Sequence, residues 1–257
     1  MRVTACEMSD DRGLFAEEWE KLRDHVLKES SDVVLLPEMP FHHWFCAEPK
    51  YNSQKWKNAV EDHDRWIGRL GELGAGTVLA TRPIDRDGKR FNRGFVWTKS
   101  GGVRSIQNKN YLPNEGGYYE ASWYHRGDRT FSSFEVGDWR GGFLICSDLW
   151  SMSNARGFGK KGAHMIFSPR ATGRGSLAKW LAGGTVAAVV SGAYSVSSNR
   201  RGERGEAEFG GMGWIIDPDG RLLAKTSTGK PFVTADVDLR DAESAKDTYP
   251  RYSLKPD

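Results

Sequence analysis

Cysteine is scarce in this sequence: Cys6, Cys46 and Cys146 are the only three in 257 residues, an odd number at wide spacing. Such a set provides no disulfide framework, and a reducing cytoplasm is its simplest home. Long apolar runs are missing as well. The weakly polar stretch from Val186 to Tyr194 falls far short of the ~20 residues that cross a bilayer. Met1 to Met8 alternates like a strand, without the basic-then-apolar order of a signal peptide. Nor is there a surplus of one charge: 37 Lys and Arg face 34 Asp and Glu, a formal net charge of +3. The basic residues are scattered, with short clusters only at Lys160–Lys161 and Arg200–Arg201–Arg204, which read as solvated surface and not as a nucleic-acid footprint. Neither a membrane nor a nucleic acid is expected as a partner.

What remains is the composition of an ordinary folded protein, 38% hydrophobic and 28% charged. At roughly 100–200 residues per domain the length suits one large domain or two small ones. With no low-complexity linker and no fixed-period repeat, one domain over 1–257 is the economical reading.

Short apolar runs alternate with amphipathic stretches from end to end. Arg2–Cys6 reads as a strand, and Leu14 to Lys28 as a helix through Phe15, Trp19, Leu22 and Val26. Val33–Leu36 is a continuous apolar run of the kind buried on both faces of a sheet. Trp56 to Leu73 reads as a second helix, followed by the strand Thr77–Thr81. Phe91–Thr98 and Val103–Gln107 form a hairpin across a Gly-rich turn. Strands follow near Phe131–Glu135, Gly142–Cys146, His164–Phe167 and Tyr194–Ser198, with helices from about Ser153 and over Leu177–Val190. Asp217-Pro218-Asp219-Gly220 is strong turn chemistry for a late hairpin. This order, rich in extra hairpins, points to an α/β layered sandwich.

Three glycines at 71, 74 and 76 sit between a helix and a strand, the wrong order for cradling a pyrophosphate, and Thr228-Gly229-Lys230 lacks the first glycine of a phosphate loop. His42, His43 and Cys46 lie close together, but no second pair at finger-like spacing follows, so no metal site is expected.

The chemistry lies elsewhere. Three apolar runs each end on a reactive side chain: Val33 to Glu38, Gln107-Asn108-Lys109 and Gly142 to Cys146. Loops beyond the carboxyl ends of strands are where sites assemble in such sheets. Alone, Glu38 reads as a cap or ion-pair partner, Lys109 as a solvated lysine and Cys146 as a small hydrophobe. Together they make a catalytic unit. A free thiol has a pKa near 8.5 and needs a base to attack a carbonyl at neutral pH. Glu38 can serve as that base. Lys109 offsets the repulsion between carboxylate and thiolate and can stabilise an oxyanion, with the Ser147 backbone amide as second donor.

The set Pro37-Glu38, Lys109-Asn110-Tyr111-Leu112-Pro113 and Ile145-Cys146-Ser147-Asp148 resembles the nitrilase superfamily of carbon–nitrogen hydrolases. Tyr118-Tyr119-Glu120, Gly127-Asp128, Ser198-Asn199-Arg200 and Phe209-Gly210-Gly211 extend the match over nearly the whole chain. The resemblance implies a four-layer α-β-β-α sandwich, paired into at least a homodimer, with a C-terminal tail from about 240 to 257 in the interface. It implies a Glu38–Lys109–Cys146 triad, and a second glutamate, Glu120, that fixes the lysine; Glu115 competes for that place. No cofactor is implied. Two positions depart from the family pattern: Ser151-Met152 follow Trp150, and Ala187-Ala188 stand where the family often has an arginine.

The implied activity is hydrolysis of a carboxamide or N-carbamoyl amine through a cysteine thioester, closer to the amidase and carbamoylase branches than to true nitrilases. A nitrilase, or a non-catalytic binding protein on the same scaffold, are the alternatives. Rings around the site (Phe41, Trp44, Phe45, Tyr118, Tyr119, Trp123, Trp150) suit a medium-sized organic amide. Tyr119 and Trp150 are expected to line the pocket, and Arg170 to grip a substrate carboxylate bidentately or form a structural ion pair.

Overall fold

The computed structural model describes residues 1–254, so the expected tail over about 240–257 runs beyond the described residues at its last three positions. The chain begins with β1 (Arg2–Ser9) and α1 (Arg12–Glu29), then β2 (Val33–Leu35) and α2 (Ser53–Ile67). Three strands follow, β3 (Thr77–Arg86), β4 (Lys89–Thr98) and β5 (Gly102–Asn108), and the short helix α3 (Glu120–Trp123). The second half runs through β6 (Ser133–Val136), β7 (Trp139–Phe143), α4 (Met152–Lys160), β8 (Met165–Arg170), α5 (Leu177–Ser191) and β9 (Tyr194–Arg204). It closes with β10 (Ala207–Gly210), β11 (Trp214–Ile216), β12 (Leu222–Lys225), β13 (Phe232–Asp236) and α6 (Leu239–Ala245).

The main path of strands is β5-β4-β3-β2-β1-β9-β8-β7-β6. The central strands β3, β2, β1, β9, β8 and β7 are all mutually parallel, while hairpin partners at the edges are antiparallel. β1 and β9 meet only through Glu7–Ser9 and Asn199–Arg201, so the path folds there into two facing halves.

The period-2 alternation of the strands decides the layers. From β1, β2, β3 and β4, the side chains of Val3, Ala5, Val33, Leu35, Leu79 and Val96 join Phe134, Phe143, Ile145, Phe167 and Val196 of the other half in one core. Their neighbours Cys6, Val34, Leu36, Val78, Ala80 and Phe95 point the other way, into a cluster with Phe15, Trp19, Leu22 and Val26 of α1. On the far side α4 and α5 cross closely: a Cβ at Gly159 would fall 2.2 Å from the Ser191 carbonyl oxygen. The result is the four-layer α-β-β-α sandwich.

α1 starts where Asp11 accepts a hydrogen bond from the Gly13 amide and stops at Ser30, whose φ of 50° ends the helix in a left-handed turn. The expected helix over Trp56–Leu73 is shorter, ending at Ile67; Leu70–Leu73 forms a separate 3-10 turn, capped by Gly74 at φ 79°.

The solvated-surface reading of Arg200–Arg201–Arg204 is overturned. β9 runs on to Arg204, and Arg200, 2% exposed, pairs with buried Asp10. Arg204 binds the other oxygen of the same carboxylate at 2.9 Å, and Arg201 pairs with Glu18. Charge on this strand ties it to α1 and to the turn that leads into it. The strands β10 and β13 and the helix α6 lie where no element was expected; β13 pairs with β1 along five registers from Arg2↔Asp236 to Cys6↔Phe232. Among the described residues no helix is long and apolar enough to cross a membrane.

Candidate active site

Parallel strands end together, and their carboxyl ends bring distant residues to one place. β2 stops at Leu35, and Glu38 follows in a turn that includes Met39 at φ 44°. That turn is pinned from several sides. The Met39 amide donates to Thr81 Oγ1 at 2.8 Å, and the Glu38 amide to the Arg170 carbonyl at 3.3 Å. Buried Arg200 donates to the carbonyls of Glu38 (2.9 Å), Met39 and His42 (2.9 Å).

Lys109 follows the end of β5. Its amide donates to the Asn92 carbonyl and its carbonyl accepts from the Gly127 amide, both at 2.8 Å. The ammonium, fully buried, donates to Glu38 Oε1 at 2.8 Å and to Glu120 Oε1 at 2.7 Å. Asn92 Nδ2 holds Glu38 Oε1 from another direction at 2.7 Å, leaving Glu38 Oε2 buried and without a partner. Glu120 opens α3 and also accepts from the Tyr124 hydroxyl. Glu115 lies elsewhere, exposed beside an isolated bridge to Tyr118.

Cys146 is 3% exposed and starts a 3-10 turn with φ at 48°. The strand expected to reach it ends at Phe143, three residues before the left-handed backbone of Cys146. Such a backbone costs about 1–3 kcal/mol and marks functional turns. Asp148, two residues on, ties this turn to the lysine loop by accepting the amides of Tyr111 at 2.9 Å and Asn110 at 3.1 Å. A carboxylate oxygen of Glu38, one of Glu120 and the Cys146 sulfur all lie within 4.8 Å of one another.

Electrostatics follow from burial. Desolvation pushes the Cys146 thiol well above its usual range, Glu38 adds to the rise, and Lys109 opposes it. Burial thus favours the protonated thiol at Cys146. Burial alone would lower Lys109, but Cys146, Glu120 and Glu38 together hold it well above the ordinary lysine value. Burial lifts Glu120 to about 8 against the pull of Lys109, and Asp148 to about 7 against its amide donors. In a cluster of an ammonium, two carboxyls and a thiol, a proton can pass from sulfur to a carboxylate oxygen without changing the net charge of the cluster.

The remaining expected residues scatter around this centre. Ser147 is half-buried, and its hydroxyl donates to the Tyr111 carbonyl. Tyr119 is half-buried in the ring cluster with Trp44, Phe45 and Trp123, its amide donating to the Cys46 carbonyl at 2.8 Å. Trp150, 48% exposed, packs on α5, its ring centroid 4.8 Å from that of Trp180. Arg170 is fully buried and without an acidic partner among the described residues; its three nitrogens bond to Ser197, Thr172 and Met212. Asn92, Tyr124 and the clamp by Arg200 went unmarked in the sequence. The Tyr118 hydroxyl is buried without a partner, and burial suppresses its acidity. Asn92 stands among Lys89, Arg90 and Arg93 in β4, where one more polar residue gives no signal.

Comparison with known proteins places this geometry. The profile of the carbon-nitrogen hydrolase family matches residues 2–247. A citrullinase of Francisella tularensis is 28% identical over 62% of this chain, a match spanning 57% of that protein. The N-carbamoylputrescine amidase of Arabidopsis thaliana is 24% identical, over 95% of this chain and 87% of its own. The crystal structure of a carbon-nitrogen hydrolase from Helicobacter pylori shares the fold with a TM-score of 0.87 at 21% identity, covering 99% of this chain and 95% of that one. From its second residue to α6, this chain belongs to the carbon-nitrogen hydrolase family.

Proposed function

We propose that this enzyme cleaves a carboxamide or an N-carbamoyl amine to acid and ammonia or amine, with Cys146 as nucleophile. The observation that carries the reading is the approach of Glu38, Glu120 and Cys146 to within 4.8 Å, with the Lys109 ammonium bonded to both glutamates. Cys146 attacks the substrate carbon, and its proton passes to Glu38, whose free oxygen is buried and aimed at no protein donor. An ammonium has three N–H bonds; two are given to the glutamates, and the third serves the oxyanion together with the Ser147 amide. Glu38 then protonates the leaving nitrogen, a thioester remains, and Glu38 activates the water that releases the acid. Glu120 orients Lys109.

An N-carbamoyl amine or an amide is favoured over a nitrile because the full-length relative from Arabidopsis thaliana is named for an N-carbamoyl substrate. Tyr119 and the neighbouring rings supply the apolar wall. The reading extends to one domain working as a homodimer in the cytoplasm. Support for pairing comes from exposed apolar side chains on elements that pack together: Trp150, Val186 on α5, and Tyr249 and Tyr252 in the C-terminal segment. Support for a reducing compartment comes from three free, buried thiols.

Ammonia release from a panel of carboxamides, N-carbamoyl amines and nitriles tests the activity. Turnover of amides or carbamoyl compounds is expected; turnover of nitriles alone would move the chain to the nitrilases, and a thiol inert to iodoacetamide with no turnover would leave only a binding scaffold.

The pH profile carries a second expectation. Below about 8 the Glu120 carboxyl keeps its proton. Above it, a second buried carboxylate faces the thiol and disfavours negative charge on sulfur. kcat/KM should therefore fall on the alkaline side with an apparent pKa near 8, and Glu120→Gln, which cannot ionise, should lose that limb whatever its absolute rate. A limb that persists in Glu120→Gln would assign it to another group.

A further inference from the structure

A cavity of about 750 Å³ opens on the face of β4 turned away from the catalytic cluster. Asn92 points to Glu38 from one side of this strand, so its neighbours Phe91 and Arg93 point to the other, and both line the cavity. Arg86, Lys89, His125 and Arg126 belong to the same wall, whereas Glu38, Lys109, Glu120 and Cys146 take no part in it. The loop carrying His125 is tied to the strand where the His125 amide donates to the Arg90 carbonyl at 2.8 Å. The volume falls within the ~300–1,000 Å³ of small-molecule sites.

The charge on this wall is not balanced. β3 and β4 pair so that Arg82 faces Arg93, Ile84 faces Phe91 and Arg86 faces Lys89, all on one side of the hairpin. Like charges set directly opposite each other destabilise a sheet. Arg82 is relieved by Asp64 of α2 at 2.8 Å. Arg93 is held by a neutral partner, its Nε donating to Asn108 Oδ1 at 2.7 Å. Four cations, Arg86, Lys89, Arg93 and Arg126, and two acids, Asp87 and Asp128, line the cavity, an excess of two positive charges with His125 neutral. Asp87 pairs with Arg86 at 3.3 Å, and Asp128 accepts the Thr130 amide at 2.9 Å. Among the described residues, Lys89, Arg93 and Arg126 have no carboxylate within ion-pair distance. Phe91 and His125 add two neighbouring rings, their centroids 6.1 Å apart.

We propose that this cavity is a second ligand site, built for a phosphate monoester with a flat, apolar body. Two unmatched positive charges call for a dianion, and a phosphate monoester carries about −1.5 to −2 at pH 7. Arg93, held by Asn108, presents a preset fork to the phosphate oxygens. Lys89 and Arg126, both exposed, draw the anion in from solvent. The body lies against Phe91 and His125, where stacking accepts any planar ring. β4 serves two sites back to back: Asn92 holds the catalytic glutamate on one face, and Phe91 and Arg93 take the phosphate ligand on the other.

Titration calorimetry with AMP as the probe tests the site and needs no turnover, so it stands apart from the assignment of Cys146 as nucleophile. Saturable binding of one AMP per chain is expected at ~20 mM salt, weakening several-fold at ~200 mM. Adenosine, without the charge, and inorganic phosphate, without the ring, should each bind at least ~10-fold more weakly. Arg93→Gln should raise Kd about tenfold. The double variant Lys89→Gln/Arg126→Gln, altered only at exposed positions, should flatten the salt dependence, and serves if Arg93→Gln does not fold. Cys146→Ala should bind AMP as the unaltered protein does. No saturation by ~10 mM AMP would overturn the proposal, as would isotherms of Arg93→Gln and the double variant that overlay that of the unaltered protein. Tighter binding of an oligoglutamate peptide than of AMP would make this face a docking surface for an acidic protein instead. Loss of AMP binding in Cys146→Ala would place the nucleotide in the catalytic pocket and equally end the proposal.

Discussion

Cys146→Ala protein is expected to lose at least ~10⁴-fold in kcat on any amide the unaltered protein cleaves, while melting within a few degrees of it. The first half follows from chemistry: no other thiol can stand in. Cys6 lies in the cluster under α1, its acidity suppressed by burial. Cys46 is buried near Glu120 and Lys109, but desolvation and the two glutamates push it well above the ordinary thiol range. The second half follows from packing. The sulfur leaves a small space beside the Glu38 and Glu120 carboxyls, and alanine keeps the Cβ and the same backbone strain. Thermal melting and single-turnover ammonia release on one sample check both halves; hydrolysis at one per cent of the original rate would sink the assignment.

Lys109→Met should fail in both respects at once. It removes the ammonium from between Glu38 and Glu120, both fully buried, and leaves two carboxyls facing each other. Removing one partner of a buried ion pair costs about 3–5 kcal/mol, because the remaining charge has no compensation. For a chain of this size that is on the order of 10 °C in Tm. Activity should fall by ~10³ or more with the oxyanion donor gone. The double variant Lys109→Met/Glu38→Gln separates the effects: neutralising one carboxyl should return part of the stability and none of the activity. A melting temperature unchanged in Lys109→Met would show that the two glutamates do not depend on the lysine.

Much of this site was legible in the sequence because each apolar strand announces its own end. Val33 to Leu36 and Gly142 to Ile145 are hydrophobic runs broken by a polar residue, and a parallel sheet aligns such breaks at one edge. What could not be read was the support. Asn92 sits in mid-strand, where spacing gives no hint that its amide holds Glu38, and Asp148 looks like any residue in a turn until the amides of Asn110 and Tyr111 arrive from 38 and 37 positions away. The arginines of β9 misled for a physical reason. Charge in sequence reads as surface, and only tertiary structure tells that Asp10, 190 residues earlier, is waiting for Arg200. Arg170 is the same lesson reversed: a charge that the fold takes inside and, among the described residues, leaves without an acidic partner.

The left-handed turn at Cys146 sets a limit on how this protein can be improved. A residue without a Cβ would adopt that φ freely, so Cys146→Gly is a change that relieves strain and ends turnover together. Selection for heat resistance alone would drift toward it. A search for hardier versions therefore has to read turnover in every round, or it will enrich well-folded proteins that catalyse nothing.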